Sequence, residues 1–326
     1  MTAPDAITIG LCTFRRPELR ATLASLAAQR GPVRIARVIV ADNDDTPSAR
    51  AWLAGCDLPF TLDYLHAPAR NISVARNAVL AAARAQGAAH LAFLDDDEIA
   101  DPDWLSALAE ALARNPGTAA VIGPVAADYL PGAPDWMRAG RLHDTLPVLD
   151  RDGQPVSGYT CNTLINLHHP ALKDLWFDPA RGRTGGEDTA FFHALRARGG
   201  PIAYAPEARM RETVPAERAR LGWLMARRLR MGVTHGSLLL NTQDRVFDRL
   251  RIGGIAAAKA LACAGMAGLG VWRPQNRNRA LMRMALHLGV VWHVTGGTGR
   301  ELYGTDLQDA GTHDPSLTQT QATRGS

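Results

Sequence analysis

Lysine is almost absent from this chain. Of the 36 basic residues among 326, only Lys173 and Lys259 are lysines, and the others are arginines. Because the planar guanidinium of arginine matches phosphate with paired hydrogen bonds, this composition favours anionic partners, either nucleotide diphosphates or an anionic membrane surface. A basic run with interleaved aromatic side chains is also missing, so we expect no nucleic-acid partner.

Cysteine is sparse as well. The four cysteines lie far apart, at Cys12, Cys56, Cys161 and Cys263, and none of the Cys or Cys/His spacings of a structural zinc site occurs. We therefore expect small buried thiols in a reducing compartment. The first residues also lack the basic stretch and long apolar core of a signal peptide, so we expect a cytoplasmic active site.

The chain does contain three consecutive aspartates, Asp95, Asp96 and Asp97, directly after the apolar run 90–94. Adjacent carboxylates raise one another's pKa unless a positive charge lies among them. A hard divalent cation takes oxygen ligands, and Mg²⁺ usually shares its ligand shell with phosphate oxygens. The pattern therefore predicts a metal site for a phosphate-bearing substrate. The alternative is a helix N-terminus, which the acids at 98–103 would also suit, although capping needs only one or two acids.

Short apolar segments alternate with amphipathic segments over the first 125 residues. Strands are predicted at 7–12, 37–41, 62–65, 91–94 and 120–124, and helices at 17–31, 73–85 and 104–114. This alternation predicts an α/β fold with a mostly parallel sheet flanked by helices. Thr13, Asp42 and the three aspartates all follow strand ends, so we expect them at one edge of the sheet, where they would form one nucleotide-sized site.

The pattern loosens after residue 125. Residues 125–160 are rich in Pro, Asp and Gly and predict a loop-rich acceptor region; a strand at 159–165, a helix at 189–198 and a basic helix at 216–231 follow. We divide the chain into a catalytic domain (1–240, with nucleotide-binding residues 1–125 and acceptor-binding residues 126–240), a helical region (241–304) and a disordered tail (305–326).

Two apolar segments near the C-terminus raise the question of a membrane. Segment 252–272 has the length of a membrane span, but it is dominated by Ala and Gly and contains Lys259. Segment 281–295 contains Arg283 and two histidines, which argues against spanning. We expect a helical pair that lies over the catalytic domain or in the membrane interface, with peripheral attachment at the inner face of the cytoplasmic membrane.

An ordered set of motifs runs through residues 6 to 235. They are Leu-Cys-Thr-Phe-Arg-Arg-Pro (11–17), Val-Ala-Asp-Asn (40–43), Asn-Ile-Ser-Val-Ala-Arg-Asn (71–77), Phe-Leu-Asp-Asp-Asp-Glu (93–98), Cys-Asn-Thr-Leu-Ile (161–165), Gly-Gly-Glu-Asp-Thr-Ala-Phe-Phe (185–192) and Glu-Thr-Val-Pro (212–215). In this order the set resembles the inverting family 2 glycosyltransferases with a GT-A fold, and most closely the bacterial exopolysaccharide enzymes of the succinoglycan type.

The resemblance implies roles for the residues at the nucleotide-binding edge. Thr13 and Arg15 match the stretch that cradles the nucleobase, and Asp42 matches the acid that accepts a hydrogen bond from the base. Arg76 matches an arginine near the base and the diphosphate. The aspartates match the family's DxD motif. Asp97 is the first choice for a metal ligand, with Asp95 as a second ligand, and Asp95 or Asp96 reaches the ribose or a metal-bound water.

The resemblance also implies the catalytic and acceptor residues. Asp188 matches the family's general base, with Glu187 as the fallback, and helix capping is the alternative role for this pair. Arg227 and Arg228 are candidates for contact with the departing diphosphate, against the alternatives of a basic helix face or of phospholipid contact. Asn162 is a candidate for the acceptor sugar site or, equally, a satisfied buried amide.

The implied activity is metal-assisted single displacement with Mg²⁺ or Mn²⁺. A sugar moves from a nucleotide-diphosphate sugar, with a UDP-sugar expected, to a glycan or lipid-linked oligosaccharide in bacterial surface polysaccharide synthesis. A sugar nucleotidyltransferase is an alternative, but it should carry a Gly-rich loop where this chain has Thr-Phe-Arg-Arg-Pro (13–17). A non-catalytic binding protein of the same fold is another alternative, which the presence of the strand-end acids disfavours.

Overall fold

The computed structural model describes residues 2–240 and 246–297. The strands of this region are β1 (Ala6–Thr13), β2 (Arg34–Asp42), β3 (Thr61–His66), β4 (His90–Leu94), β5 (Glu98–Ala100), β6 (Ala120–Ile122), β7 (Val125–Tyr129), β8 (Asn162–Asn166), β9 (Ile202–Tyr204) and β10 (Met210–Val214). Its α-helices are α1 (Leu19–Ala27), α2 (Arg50–Ala54), α3 (Ile72–Ala85), α4 (Trp104–Arg114), α5 (Asp135–Gly140), α6 (Glu187–Ala197), α7 (Leu221–Leu240), α8 (Val246–Leu269) and α9 (Pro274–Val294). The predicted tail 305–326 lies outside the described residues.

A seven-stranded sheet forms the centre of the protein. Its strand order is β3-β2-β1-β4-β8-β6-β9, and β8 is the strand that runs antiparallel to both of its neighbours. The other neighbouring pairs are parallel. The mostly parallel α/β fold expected from the sequence is therefore confirmed, and the ends of β1, β2 and β4 meet at one edge, where ligands bind in open α/β sheets.

Helices cover both faces of this sheet. On one face the core contains Leu23 of α1 and Trp104 of α4, and on the other it contains Val79 of α3 with Phe191 and Phe192 of α6. All five side chains are buried, and burial of each large apolar side chain contributes about 1.5–3 kcal/mol. Packing on both faces holds the strand ends in place, so the side chains that follow them have a fixed frame.

The region 125–160 contains more regular structure than its composition predicted. β7 and α5 both lie in it, and β7 pairs with β10, which in turn pairs with β5 in a small second sheet. The sequence did not indicate this sheet because its strands are short and β5 lies more than a hundred residues before its partner β10. The pairing places Glu98 opposite Glu212.

The C-terminal helices pack on one another through small residues. Gly232 of α7 lies against Gly289 of α9, and Gly236 lies against His293 of α9, so the two helices run in the same direction. A Cβ at Gly232 would come within 1.9 Å of the carbonyl oxygen of Leu286, which shows how closely the two backbones approach. α7, assigned to the catalytic domain from sequence, is therefore a packing partner of α9, and the predicted division at residue 240 stays a prediction.

Helix α8 runs antiparallel to α9, with Gly253 beside Val294 and Gly270 beside Arg277. Within the described ranges it is the one helix whose length and composition would allow it to cross a membrane, and 22% of its apolar window is buried. Its outer face exposes large apolar side chains, among them Leu261 (74% exposed).

Candidate active site

Arg76 of α3 lies at the centre of the strand edge. It is 6% exposed, its guanidinium forms an ion pair with Glu187, and its Nη2 lies 3.5 Å from Oδ1 of Asp95. Asn71 caps the same helix by accepting hydrogen bonds from the backbone N–H groups of Ser73 and Val74. Arg76 thus joins the end of β4 to the start of α6, two segments more than ninety residues apart in the chain.

The three aspartates differ in their surroundings. Asp95 keeps 45% of its side chain exposed, whereas Asp96 is buried, accepts a hydrogen bond from Thr13, and has its Oδ2 buried without a partner. Burial, together with the nearby charge of Asp97, raises the pKa of the Asp96 carboxyl. Asp97 lies 3.4 Å from the guanidinium of Arg16. One of the three is therefore an internal acid, and the other two remain partly open.

Glu98 is a fourth acid of this cluster that sequence analysis left out of the site. It is 2% exposed and accepts a hydrogen bond from the Asp95 N–H at 3.0 Å. Burial, and then the charge of Asp95, raise its pKa well above the usual value. One carboxylate oxygen of Asp95, one of Glu98 and the Cys161 sulfur all lie within 4.8 Å of one another. The signal was present in the sequence, since Glu98 directly continues the run of aspartates.

Asp188 and Glu187 begin α6 and have different surroundings. Gly185 and Gly186 precede them with φ angles of +84° and +87°, conformations that glycine adopts without strain. Glu187 is buried against Arg76, whereas Asp188 is half-buried and its Oδ1 accepts hydrogen bonds from the N–H and hydroxyl of Thr189. The buried Oε2 of Glu187 has no hydrogen-bond partner, and Asp188 is the more accessible of the two carboxylates, so the base assignment stays a prediction.

The catalytic turn, defined here as residues 185–188, also touches α7. A Cβ at Gly186 would come within 2.5 Å of the Thr234 side chain, so that side chain packs directly against the backbone of Gly186. Arg181, just before the turn, donates a hydrogen bond of 2.8 Å to the hydroxyl of Ser237. Sequence analysis did not predict this contact with the C-terminal helices.

Asp42 lies at the end of β2 as predicted, but its carboxylate is fully buried. It accepts hydrogen bonds from the N–H groups of Asp44 and Ala49 and from the hydroxyls of Ser48 and Tyr64. These bonds organise the loop that follows β2. The base contact expected for Asp42 stays a prediction, and it would require one of these bonds to be exchanged for the ligand.

Arg15, which was assigned to the same nucleobase site, is 39% exposed along its side chain and forms a two-bond ion pair with Asp44. The guanidinium of Arg15 holds the pKa of Asp44 at about 2, against the opposing effect of burial. Arg15 therefore lies on the loop beside Asp42, consistent with the single edge expected from the sequence.

Asn162 needs a correction. It is fully buried, its oxygen accepts a hydrogen bond from Trp104 Nε1 at 2.8 Å, and its amide donates to the carbonyl oxygens of Pro124 and Ala208. Because the amide is enclosed and its bonds tie β8 to α4 and to the segment after β6, it does not line an acceptor site. Of the two roles considered, the satisfied buried amide is the one found.

The two arginines of α7 are placed differently. Arg227 lies 5.5 Å above the ring of Trp223, and its charge lowers the pKa of Glu212, which burial and Asp97 raise. Arg227 therefore belongs to the edge that carries the acids. Arg228 contacts Met231 of its own helix, and its contact with the diphosphate stays a prediction.

Three comparisons agree with this geometry. The family model described as glycosyl transferase family 2 matches residues 8–173. The succinoglycan biosynthesis protein ExoM of Rhizobium meliloti (strain 1021) is 47% identical over 301 residues, which cover 91% of this chain and 96% of ExoM. The mannosyltransferase PcManGT of Pyrobaculum calidifontis, solved with GDP-Man and Mn²⁺, superposes with a TM-score of 0.56 at 19% identity, over 88% of this chain and 86% of that one.

The third comparison shows a shared GT-A fold, and the first two show the family. The predicted resemblance and the predicted enzyme class are confirmed, and the nucleotidyltransferase and the non-catalytic binding protein are no longer needed as alternatives. The chain belongs to glycosyl transferase family 2, and it is a glycosyltransferase.

Proposed function

We propose that this protein transfers a sugar from a nucleotide-diphosphate sugar to a glycan hydroxyl by a single displacement that inverts the anomeric carbon. The observation that carries the proposal is the position of Arg76, which joins Asp95 at the end of β4 to Glu187 beside Asp188. Single displacement needs a place for the leaving diphosphate and a base for the incoming hydroxyl. Arg76 brings the candidates for both into one site.

Asp188 is the general base of this proposal. Its Oδ1 is held by Thr189, so Oδ2 accepts the proton of the acceptor hydroxyl as the new glycosidic bond forms and the bond to the diphosphate breaks. General base catalysis typically contributes about 10²–10⁴-fold. Glu187 acts through its ion pair with Arg76, which holds the first turn of α6 in position.

The acids at the strand edge fit a divalent cation. Burial raises the pKa values of Asp95 and Glu98, and the buried Oδ2 of Asp96 has no hydrogen-bond partner. A nearby cation would favour the ionised form of all three carboxylates. Asp95 and Asp97, with Glu98 added by the structure, would hold Mg²⁺ or Mn²⁺, because both ions prefer oxygen ligands. When bound, the cation neutralises charge on the diphosphate.

The remaining donor contacts follow from the positions of the predicted residues. Thr13 and Asp42 end β1 and β2, and Arg15 lies on the loop after β1. These three residues would surround the nucleotide, for which a UDP-sugar is the proposed donor. Arg76, Asp95 and Asp96 would face the ribose and diphosphate. Arg227 would contact the departing diphosphate.

The proposed acceptor rests on the similarity to ExoM and on the exposed apolar face of α8. Since ExoM, at 47% identity, is named for succinoglycan biosynthesis, we propose an exopolysaccharide glycan, carried on a lipid, as the acceptor. The exposed apolar face of α8 supports peripheral contact with the inner face of the cytoplasmic membrane, where such an acceptor would be available.

A donor screen followed by one substitution tests the proposal. Because a ligand that binds the folded state raises its apparent stability, UDP-, GDP- and dTDP-sugars are compared by thermal shift with Mn²⁺. Asp188→Asn should then lower transfer of the sugar by about 10²–10⁴-fold while the donor-induced shift is retained. Glu110→Gln, an exposed acid of α4, is the matched control. Full turnover in Asp188→Asn would remove Asp188 as the base.

A further inference from the structure

Four basic side chains come together where the three C-terminal helices meet, and the proposed chemistry uses none of them. This cationic cluster consists of His235 of α7, Lys259 of α8, and Arg283 and His287 of α9. Arg283 and His287 are four residues apart and therefore share one face of α9. The cluster thus has a member on each of three helices.

The helix contacts place these side chains within about two turns of one another along the helix axes. α7 and α9 meet at Gly232 and Gly289, so His235 lies about one turn past the contact on α7, and His287 lies two residues before it on α9. On α8, Lys259 falls between Gly253 and Gly270, which lie beside the two ends of α9. Lys259 is accordingly near enough to lower the pKa of both histidines, and Arg283 lowers that of His287.

Carboxylates do not balance this charge. The sequence has no Asp or Glu from Arg249 to Gly297, and none in α7. Among the residues that the structure describes, every charged group that acts on His235 or His287 is positive. Gathering like charges around the half-buried His287 is unfavourable, and a bound anion would remove that cost.

The surroundings favour an anion carried by a lipid. Lys259 is exposed and shares a face of α8 with Ile255, four residues before it, and Met266, seven residues after it, which are 50% and 47% exposed. Trp272, 92% exposed, follows that helix and is itself followed by Arg273. Exposed aromatic and basic residues beside an apolar helix face are typical of a protein that lies in a membrane interface, where phosphate groups are the available anions.

The cluster is also adjacent to the catalytic turn. His235 directly follows Thr234, whose side chain packs against Gly186. We propose that the cationic cluster binds a phosphate group carried by a membrane lipid, and so holds the lipid end of the acceptor near the catalytic turn. The inference rests on the proposed transfer to a lipid-linked acceptor.

Sedimentation of the full-length protein with vesicles tests this inference without donor or turnover. Three vesicles are compared: phosphatidylcholine alone, phosphatidylcholine with phosphatidylglycerol, and phosphatidylcholine with a polyprenyl phosphate. Lys259→Gln should weaken binding to phosphate-bearing vesicles about tenfold or more, the effect of losing a charge-assisted hydrogen bond. Lys259→Arg should keep the binding, because the donor and the charge are retained.

Arg251→Gln is the matched control, an exposed charge on the same helix two turns away from Lys259. Its loss should not exceed about fivefold, the contribution of one basic residue near an anionic surface. A loss in Lys259→Gln confined to polyprenyl phosphate assigns the site to the acceptor, and a loss with both lipids assigns it to lipid headgroups in general. Each of these results supports the proposal.

Equal losses in Lys259→Gln and Arg251→Gln, or no loss in Lys259→Gln, would overturn it. Displacement of the protein from vesicles by inorganic phosphate, at the same phosphate concentration as the lipid, would assign the site to free phosphate and overturn the lipid source. Since no sugar is transferred in these measurements, a negative result leaves the donor screen and Asp188→Asn as independent tests of the proposed function.

Discussion

The strand edge carries acids that are buried or half-buried, whereas the C-terminal helices carry basic residues that are mostly exposed. At the strand edge, acids are buried or half-buried beside Arg16, Arg76 and Arg227. The three C-terminal helices contain nine Lys and Arg residues and a single acid, Asp248. A cation can neutralise the negative charge of the strand edge, and the positive charge of the helices suits an anionic surface.

The difference lies in how each region is held. The acids depend on specific ion pairs inside a packed frame, so each arginine that compensates them is needed for stability. The basic residues of the helices are mostly exposed, and the helices are held by close backbone contact through glycines instead. Substitutions should therefore be costly at the edge when they remove charge, and costly in the helices when they add volume.

The largest effect is expected from Arg76→Met. Removing one partner of a buried ion pair leaves the enclosed carboxyl of Glu187 without its compensating charge, which costs about 3–5 kcal/mol of unfolding free energy. Adding Glu187→Leu should recover most of that loss, because an apolar pair needs no compensation. Urea unfolding of the single and double variants measures both. A loss below about 1 kcal/mol in Arg76→Met would mean that the edge does not depend on this pair.

A smaller effect is expected from Gly186→Ala, which tests whether the strand edge depends on its contact with the C-terminal helices. The substitution strains a left-handed backbone and places a Cβ within 2.5 Å of Thr234, at a cost of about 1–3 kcal/mol. Since the strain falls beside Asp188, the turnover rate should fall more than donor affinity does. Kinetics with saturating donor and thermal unfolding provide the two readouts.

Gly199→Ala is the matched control for Gly186→Ala. Gly199 has a similar φ of +78°, but a Cβ there would meet nothing within 4 Å. Gly199→Ala should therefore lower the free energy of unfolding through backbone strain and leave the turnover rate unchanged. Equal turnover in the two variants would show that the catalytic turn does not depend on its contact with α7.

The smallest effect is expected from Glu98→Gln, measured as a dependence on pH. Because the pKa of Glu98 is raised in the folded protein, the folded state holds a proton that the unfolded state releases above pH 4.5. Stability of the metal-free protein should therefore fall as pH rises above 4.5, by at most about 1.4 kcal/mol per pH unit for this group. Glu98→Gln should remove the contribution of Glu98 to the slope of unfolding free energy against pH.

Urea unfolding between about pH 4 and pH 8 with a chelator present measures the slope. Added Mn²⁺ should reduce it in the unsubstituted protein, because the cation compensates the ionised carboxylates. An unchanged slope in Glu98→Gln would assign the pH dependence to other acids of the edge.

The sequence predicted best where local pattern decides the structure. Helix α4 occupies Trp104–Arg114, as its apolar spacing indicated, since its buried face needs no distant partner to define it. The strand-end residues were also predicted, because polar side chains after short apolar runs mark one edge of a parallel sheet. The small second sheet was not predicted, because its short strands pair across 85 residues or more.

The site shows the same limit. That Asp188 and Glu187 are both acids was visible in the sequence, but the difference in their surroundings depends on Arg76, which is 111 residues away from Glu187 in sequence. The enclosed amide of Asn162 could not be distinguished from a ligand contact without Trp104 beside it. Contact of Thr234 with the catalytic turn had no local signal, since it follows from how α7 lies on α9.

The close contact of Gly232 with Gly289 has a consequence for how the protein is made. The ribosome completes the sheet and the catalytic turn first, and α9 emerges roughly a hundred residues later, which at about 5–20 residues per second means a delay of about 5–20 s. Until then α7 lacks this packing partner, although its Leu224 already lies in a core cluster with Met137 and Val214. Helix α9, synthesised well after the strand edge, thus completes the packing of α7 beside the candidate active site.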